Sequence, residues 1–333
     1  MAYGTVNADI IGTSVAGSNL GAGNATRFKN RIINGDMRID QRNAGASQTF
    51  TAAAALAYSI DRWYGYCTGA NVTGQQIAGT YATSQNQYQF TGAASVTAIG
   101  FGQRIEAKNS YDLANKTATL SCYIANSLLT TVTWTASYAT TTADTFGSLA
   151  SPTVTQIATG TFTVSSTRTQ YTTNISIPSA ATTGIQIVFS VGAQTSGTWV
   201  IDTVQLEVGS SATGFEYVDY GTQLLMCQRY YENTWYPNTS SANINATITG
   251  IFWNANYSSG YKFLTVKRTA PTVTLFSRSG TSGAISSTAS GADLTTATAS
   301  NIGTSGFWAV NITSSQSTYS YAAEVAYAAS SEL

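Results

Sequence analysis

The chain has 333 residues, of which only 9% are charged, far fewer than the roughly 25% of an average soluble domain. Fifteen Lys and Arg residues balance fifteen Asp and Glu residues, so the protein has no net positive charge to attract nucleic acid or an anionic membrane surface. No stretch approaches the apolar length of a membrane span, and residues 1–5 lack the features of a signal peptide, so we expect folding in a cytosol without membrane insertion.

The composition favours β-structure. Ser, Thr, Asn and Gly take the place of the missing charges, and 20 Tyr and 6 Trp residues add amphipathic rings that suit pleated sheets. A chain of this length has room for two domains of ordinary size. We therefore predict an all-β protein with two domains.

Residues 1–27 consist mainly of Gly, Ala, Ser, Thr and Asn, and their few aliphatic residues show no sustained period. Such a segment has too little apolar mass to fold alone. We predict an extended N-terminal arm that anchors the protein to a partner; a disordered tail is the alternative.

Residues 28–218 show period-two alternation between turn residues, as half-buried strands require. Val132, Trp134, Ala136 and Tyr138 share one face of such a strand. Many strands of this kind, without helices between them, predict a jelly roll or β-sandwich. The same alternation places Cys122 in the core.

Residues 219–232 break the alternation. Leu224, Cys227 and Tyr231 recur at helical spacing, which predicts a short connecting helix with one apolar face. We expect a homotrimer to bury that face, so these three residues are candidates for the trimer interface.

Residues 233–333 return to strands and predict a second, smaller β-sandwich domain. Residues 277–305 are nearly all Gly, Ser, Thr and Ala, which indicates a long loop or a set of exposed hairpins. Trp253, Tyr257 and Tyr261 are candidate glycan contacts, with core packing as the alternative. Trp253 and Tyr257 lie among polar turn formers, where exposure is more plausible.

The sequence argues against catalysis. It has no histidine, which removes the usual general base and most zinc or iron sites. On a regular strand Asp202 and Glu207 face opposite sides, so they do not form a glycosidase pair. Cys67, Cys122 and Cys227 are an odd number in a cytosolic chain, so we expect free thiols.

Asp202 is a conspicuous acid. Regular alternation places it on the apolar face formed by Val200, Val204, Leu206 and Val208. A buried carboxylate needs a partner, which calcium with backbone carbonyls, or an arginine such as Arg104, would supply. The sequence slightly favours the hydrogen-bonded or arginine partner.

Several segments together resemble a family of tailed-bacteriophage fibre proteins. They are 30–39, Gln41-Arg42, Asp61-Arg62-Trp63, 103–106, 205–209, 212–217, Tyr220-Gly221, 227–231 and 331–333. The resemblance implies a virion structural protein, usually a trimer, exposed on a tail or on the head. It also implies a first domain similar to the jelly rolls of carbohydrate-binding modules, in which an Asn-Gly-Asp start and an Ile-Asp strand often frame a structural calcium.

The calcium ligands implied by this resemblance are Asp36 and Asp202, with Asn34 and Gly35 in the same motif. Met37 and Arg38 stand where the modules have an aromatic residue and an acid. Three functions follow as hypotheses. The first is a tail fibre that contacts host surface glycan and joins other virion proteins through the arm; the second is a head decoration or capsid fibre; the third is a polysaccharide depolymerase.

Overall fold

The computed structural model describes residues 28–52, 56–81, 84–238, 247–253, 257–258, 260–311 and 321–333. The proposed arm, residues 1–27, lies outside the described residues. Within them the chain is almost entirely β-structure, with one apolar core between two six-stranded sheets and a second, smaller core near the C-terminus. The all-β prediction with two packed units is confirmed. No helix of the described residues is long and apolar enough to cross a membrane.

The first domain is a sandwich of two antiparallel sheets, here called sheet A and sheet B. Sheet A contains, in spatial order, β1 (Gln48–Phe50), β4 (Val72–Tyr81), β5 (Ser84–Thr91), β12 (Thr198–Val208), β7 (Thr117–Asn126) and β10 (Thr169–Ser176). Sheet B contains, in spatial order, β2 (Ala57–Ile60), β3 (Trp63–Thr68), β6 (Ala98–Ile105), β11 (Ile185–Val191), β8 (Thr131–Ala139) and β9 (Val154–Thr163). A short helix, α1 (Ala107–Ser110), and a 3-10 turn (Tyr111–Leu113) follow β6.

Stacked aromatic rings fill the space between the two sheets. The ring of Phe101 lies 4.8 Å from both Trp63 and Tyr88, and Phe90 lies 5.2 Å from Trp199. Period-two alternation places these side chains on the inner faces, where each ring removes a large apolar surface from water. Cys122 is fully buried among them, as predicted.

A β-bulge in β12 overturns the predicted face of Asp202. Between Asp202 and Gln205 the pairing with β7 shifts register, and Thr203 adopts a φ of 52°. Trp199 and Ile201 face the core before the bulge, and Val204 and Leu206 face it afterwards. Asp202 therefore lies on the outer face of sheet A with Gln205 and Glu207, because one extra residue reverses the alternation.

The predicted connecting helix is α2 (Tyr220–Gln228), which begins at the N-cap Asp219. Its apolar face is covered by the same chain. Cys227 is fully buried against Ile33, Ile39 and Tyr230, and Leu224 packs against the same group. The proposed trimer interface on this face is therefore wrong, because the N-terminal segment of the first domain already occupies it.

Tyr231 also departs from the prediction. It begins strand β13 (Tyr231–Asn233) after the helix has ended, and it is buried beneath the guanidinium of Arg42. Its ring is therefore not available to a second subunit. Leu225, which the spacing argument did not select, is the helix side chain that is 52% exposed.

The second domain is organised around the long strand β22 (Tyr321–Ser330). The strands that join it, directly or through a neighbour, are β13, β14 (Ile248–Trp253), β15 (Tyr257–Ser258), β17 (Thr272–Phe276), β18 (Ala284–Ser287) and β19 (Asp293–Thr295). A three-stranded sheet of β16 (Tyr261–Lys262), β21 (Gly306–Asn311) and β20 (Ala297–Ser300) covers the core. The Gly/Ser/Thr-rich stretch is thus a set of hairpins, one of the two predicted forms.

Candidate functional site

A groove of about 520 Å³ lies on the outer face of sheet A. Strands β7, β10 and β12 supply its floor, and the segment that follows β12 supplies a wall. The side chains or backbone of Ser121, Tyr123, Gln170, Thr203, Ala212, Thr213, Gly214, Phe215 and Tyr217 line it. We call this feature the sheet A groove.

A buried ion pair supports the floor. Arg168, just before β10, donates two hydrogen bonds to the carboxylate of Asp202, one of them from Nε at 2.8 Å, and its guanidinium lies 3.9 Å from the ring centre of Tyr123. Gln87 donates to the same carboxylate at 3.1 Å. The predicted arginine partner therefore exists, but it is Arg168 rather than Arg104, because the bulge turns Asp202 away from sheet B, where Arg104 lies. The opposite charges cancel beneath the groove.

The wall is held by acceptors of β12. Glu207 accepts hydrogen bonds from the backbone nitrogen of Thr213 at 2.8 Å and from its hydroxyl at 2.6 Å, and Gln205 accepts from the nitrogen of Glu216 at 2.9 Å. Glu216 in turn accepts from the nitrogen of Asn30 at 2.8 Å. These hydrogen bonds hold the backbone of the segment that contains Phe215 and Tyr217.

The groove is lined by both aromatic rings and polar side chains. Tyr217 is 52% exposed, and its ring packs edge to face against Phe215 at 5.4 Å. Tyr123 and Ser121 of β7 and Gln170 of the neighbouring strand β10 also line the groove. Rings with adjacent hydroxyls and amides can stack on the apolar face of a sugar and bond its hydroxyls.

Each of the two proposed calcium ligands has an arginine partner. Asp36 pairs with Arg38 at 2.5 Å and accepts from Gln223 at 3.0 Å. Burial raises the pKa of Asp36, although Arg38 opposes this effect. Calcium takes six to eight oxygen ligands, whereas both Asp36 and Asp202 are already neutralised by arginine. Among the described residues no three His, Cys, Asp or Glu side chains cluster in a way that could hold a metal.

Most of the phage-like motif segments meet at the junction between the domains. Glu332 forms ion pairs with both Arg42 and Arg62, and Arg62 lies 3.5 Å from the ring centre of Tyr230. The carbonyl oxygen of Leu333 accepts from the Tyr58 hydroxyl at 2.7 Å and from Arg104 at 2.9 Å. The motif segments that contain these residues thus contribute contacts between the two domains.

A second part of this junction is equally buried. Lys267 donates to Glu232 at 2.6 Å, and both side chains are almost completely buried. Nearby, Glu106 accepts from Arg229 at 2.8 Å and from the hydroxyl of Tyr230 at 2.9 Å. Burial raises the pKa of Glu106, but these two donors outweigh burial and lower it. The glutamates named at the junction therefore all have a partner of opposite charge.

One of the three glycan contacts predicted in the second domain is a core residue, and the other two are neighbours in a hairpin. Tyr261 is 5% exposed and stacks on Phe307 at 5.3 Å, so it packs in the second core, and its choice as a contact residue is corrected. Trp253 and Tyr257 lie opposite each other in the β14–β15 hairpin. Their side chains lie outside the described residues, so their role stays a prediction.

Sequence reasoning did not select the groove residues as ligand contacts. Tyr123, Gln170 and Thr203 come from three strands that are adjacent only in the folded sheet. One signal was present, because Phe215 and Tyr217 belong to a motif segment rich in turn formers, where aromatic side chains tend to be exposed.

Comparisons with known proteins give structural likenesses only. No family model matches the chain, and no curated protein matches it. Among solved structures, the enzymatically active domain of tailspike protein 4 from bacteriophage CBA120 is 15% identical, with a TM-score of 0.32 over 54% of this chain. A putative sugar-binding protein from Bacteroides thetaiotaomicron is 13% identical, with a TM-score of 0.34 over 54% of this chain and 100% of its own.

A family 11 carbohydrate-binding module from Clostridium thermocellum is 13% identical, with a TM-score of 0.30 over 50% of this chain and 98% of its own. This protein spans only 22% of the tailspike chain. At this level of similarity no residue role transfers from these proteins to this chain.

Proposed function

We propose that the sheet A groove binds a neutral glycan on the surface of a host cell. The observation that supports this function is a groove of about 520 Å³ lined by the rings of Tyr123 and Tyr217 together with hydroxyl and amide side chains. Arg168 and Asp202 neutralise each other beneath the floor, so the floor favours a ligand without charge. A neutral sugar ring offers an apolar face and hydroxyls, which match the rings and the floor.

Binding without hydrolysis is the better proposal for this groove. A glycosidase needs one carboxyl group as acid and another as base or nucleophile. Both oxygens of Asp202 accept from Arg168, and both oxygens of Glu207 accept from Thr213. These contacts support structural roles for both acids. A reducing-sugar assay after incubation with host polysaccharide tests the depolymerase alternative, and release of sugar would favour it.

We further propose that the protein is a virion component, most consistent with a tail fibre, on the basis of its phage-like motif segments. A head decoration protein is the second candidate, because the described residues include no long shaft. Labelling the protein in intact particles and locating it by electron microscopy separates the two. Label at the tail supports the fibre, and label on the head supports decoration.

The test of glycan binding compares exposed tyrosines. Tyr217→Ala should weaken binding in a panel of host surface polysaccharides roughly 3- to 10-fold, because a stacking ring contributes about 0.5–1.5 kcal/mol. Tyr111, which is 62% exposed and lies outside the groove, provides the control, and Tyr111→Ala should bind normally.

A third variant separates the groove from the second domain. Trp253→Ala with Tyr257→Ala should bind as well as the wild type if the groove carries recognition. Loss of binding in this double variant, with Tyr217→Ala unaffected, contradicts the groove and restores the second-domain site predicted from sequence.

A further inference from the structure

The first domain leaves two long strand edges open on the same side of the sandwich. Strand β10 ends sheet A and strand β9 ends sheet B; within the described part of the chain they pair only with β7 and β8. The two strands are neighbours, since the rings of Phe162 and Tyr171 lie 5.3 Å apart between them. An outer strand leaves alternate backbone N–H and C=O groups without a strand partner.

These two strands lack most features that protect an edge from pairing. Neither contains a charged residue or a proline. Arg168 is the single charged residue between Asp144 and Asp202 in the sequence. Its guanidinium pairs with the buried carboxylate of Asp202. Strand β9 has one bulge, at Ile157, but β10 pairs with β7 over its full length without a register shift. Natural edges usually carry charges, prolines or bulges, or are short.

The opposite side of the same sandwich is built differently. Its outer strands are β1, with three residues, and β2, with four, whereas β9 has ten and β10 has eight. Short strands offer few backbone groups to a partner. Among the described strands, only the β9–β10 side of the first domain therefore offers long edge strands to a partner.

We propose that the β9–β10 edge is an interaction surface at which a second copy of this chain docks by strand pairing. A two-fold axis perpendicular to the sheets places β10 antiparallel to β10 of the partner and β9 antiparallel to its own counterpart. Both sheets then continue across the boundary, and the backbone groups of both edges are satisfied.

The charge pattern favours a second copy over a charged partner strand. When two copies pair through the same edge, a charged residue on that edge lies close to the same charge in the partner, which is unfavourable. Strands β9 and β10 contain no charged residue. Their exposed side chains include Gln156, Thr161, Thr172 and Asn174, whose hydroxyl and amide groups are both donors and acceptors. An acidic or basic strand would find no opposite charge there.

Lysine substitutions on the β9–β10 edge test whether two copies pair there. Sedimentation and light scattering of the wild type at micromolar concentration should give about twice 35.0 kDa. Thr161→Lys with Thr172→Lys, both at exposed edge positions, should reduce the mass to that of a single chain, because like charges then meet across the boundary. The matched control is Thr73→Lys with Gln85→Lys, two exposed positions on β4 and β5, which are interior strands of sheet A; it should keep the wild-type mass.

A second measurement needs no substitution. Backbone amides of β10 should exchange with deuterium at least tenfold more slowly at high protein concentration than at low concentration, while amides of β4 do not change. A wild type that stays a single chain, an edge variant that keeps the wild-type mass, or a control that dissociates equally overturns the proposal. If the edge variant does not fold, the concentration dependence of deuterium exchange in the wild type decides whether the edge pairs.

Discussion

Asp61 shows how burial can set the properties of one residue. It is fully buried at the domain junction and accepts hydrogen bonds from the backbone nitrogen and the side-chain amide of Gln41, each at 2.6 Å. Burial raises the pKa of Asp61 to about 7, although Arg42 and these hydrogen bonds lower it in part. The folded protein therefore holds a proton that the unfolded chain releases above about pH 4.

We expect this acid to make the protein less stable as the pH rises. Its contribution is fully present below about pH 4 and is lost as the pH passes about 7, with a size on the order of 1–4 kcal/mol. Urea unfolding between pH 5 and pH 8 should show the decline, and Asp61→Asn should reduce it.

Asp219→Asn is the control for this experiment. Hydrogen bonds from Thr222 lower the pKa of Asp219, so it titrates below the tested range. An equal slope in Asp61→Asn and the wild type would contradict the assignment.

Arg168 is the second residue whose role can be tested. It is the ion-pair partner of Asp202, which is completely buried. Arg168→Met should lower the free energy of unfolding by about 3–5 kcal/mol, because it leaves a buried charge without a partner. The double variant Arg168→Met with Asp202→Leu should recover most of this loss.

A chelator experiment tests the predicted calcium ion at Asp202. If Arg168 alone neutralises Asp202, a chelator should leave the melting temperature unchanged. A melting temperature that falls with chelator and returns with added calcium would support the ion instead, since a ligand that binds only the folded state stabilises it.

At the scale of the element, α2 is a helix packed within its own chain. Cys227 lies fully buried on the packed face, and Leu225 is exposed on the other. Cys227→Ser should lower the free energy of unfolding by about 1–3 kcal/mol, because it buries a hydroxyl in an apolar group. Leu225→Ser should change it by less than about 0.5 kcal/mol.

The outcome also bears on the helix as an assembly surface. Equilibrium unfolding gives the two stabilities, and light scattering gives the mass. The homotrimer predicted from the sequence competes with the two-fold edge pairing proposed above, and a mass of three times 35.0 kDa would support the trimer and contradict that pairing. A trimer that dissociates in Leu225→Ser would place its interface on the exposed face of the helix, whereas an unchanged stability in Cys227→Ser would contradict the packing described for the other face.

At the scale of the whole molecule, charged side chains near the C-terminus join the two domains. Glu332 is buried and pairs with Arg42 and Arg62 of the first domain. Glu332→Gln should lower the free energy of unfolding by about 3–5 kcal/mol, because the buried guanidinium of Arg62 and the partly buried one of Arg42 lose their counter-charge. It should also separate the unfolding of the two domains in calorimetry.

Glu324→Gln is the matched control. Glu324 lies 3.7 Å from Arg278, whose side chain is 39% exposed, so this pair should contribute less than about 1 kcal/mol. Similar losses in the two variants would mean that the junction does not depend on the buried ion pairs.

The sequence by itself determined the all-β fold class and the buried position of Cys122. These follow from period-two alternation and composition, which act along the chain and remain visible in it. It also indicated that Asp202 needs a partner, and the tertiary structure supplied Arg168.

Only the tertiary structure decided which faces and partners these residues have. The bulge at Thr203 reversed the face of Asp202, the N-terminal segment covered Cys227, and the second core enclosed Tyr261. Each outcome depends on a contact between residues far apart in the chain, or on one extra residue in a strand, and neither leaves a period in the sequence. The sheet A groove and the open β9–β10 edge arise in the same way, because both require strand order, which alternation does not encode.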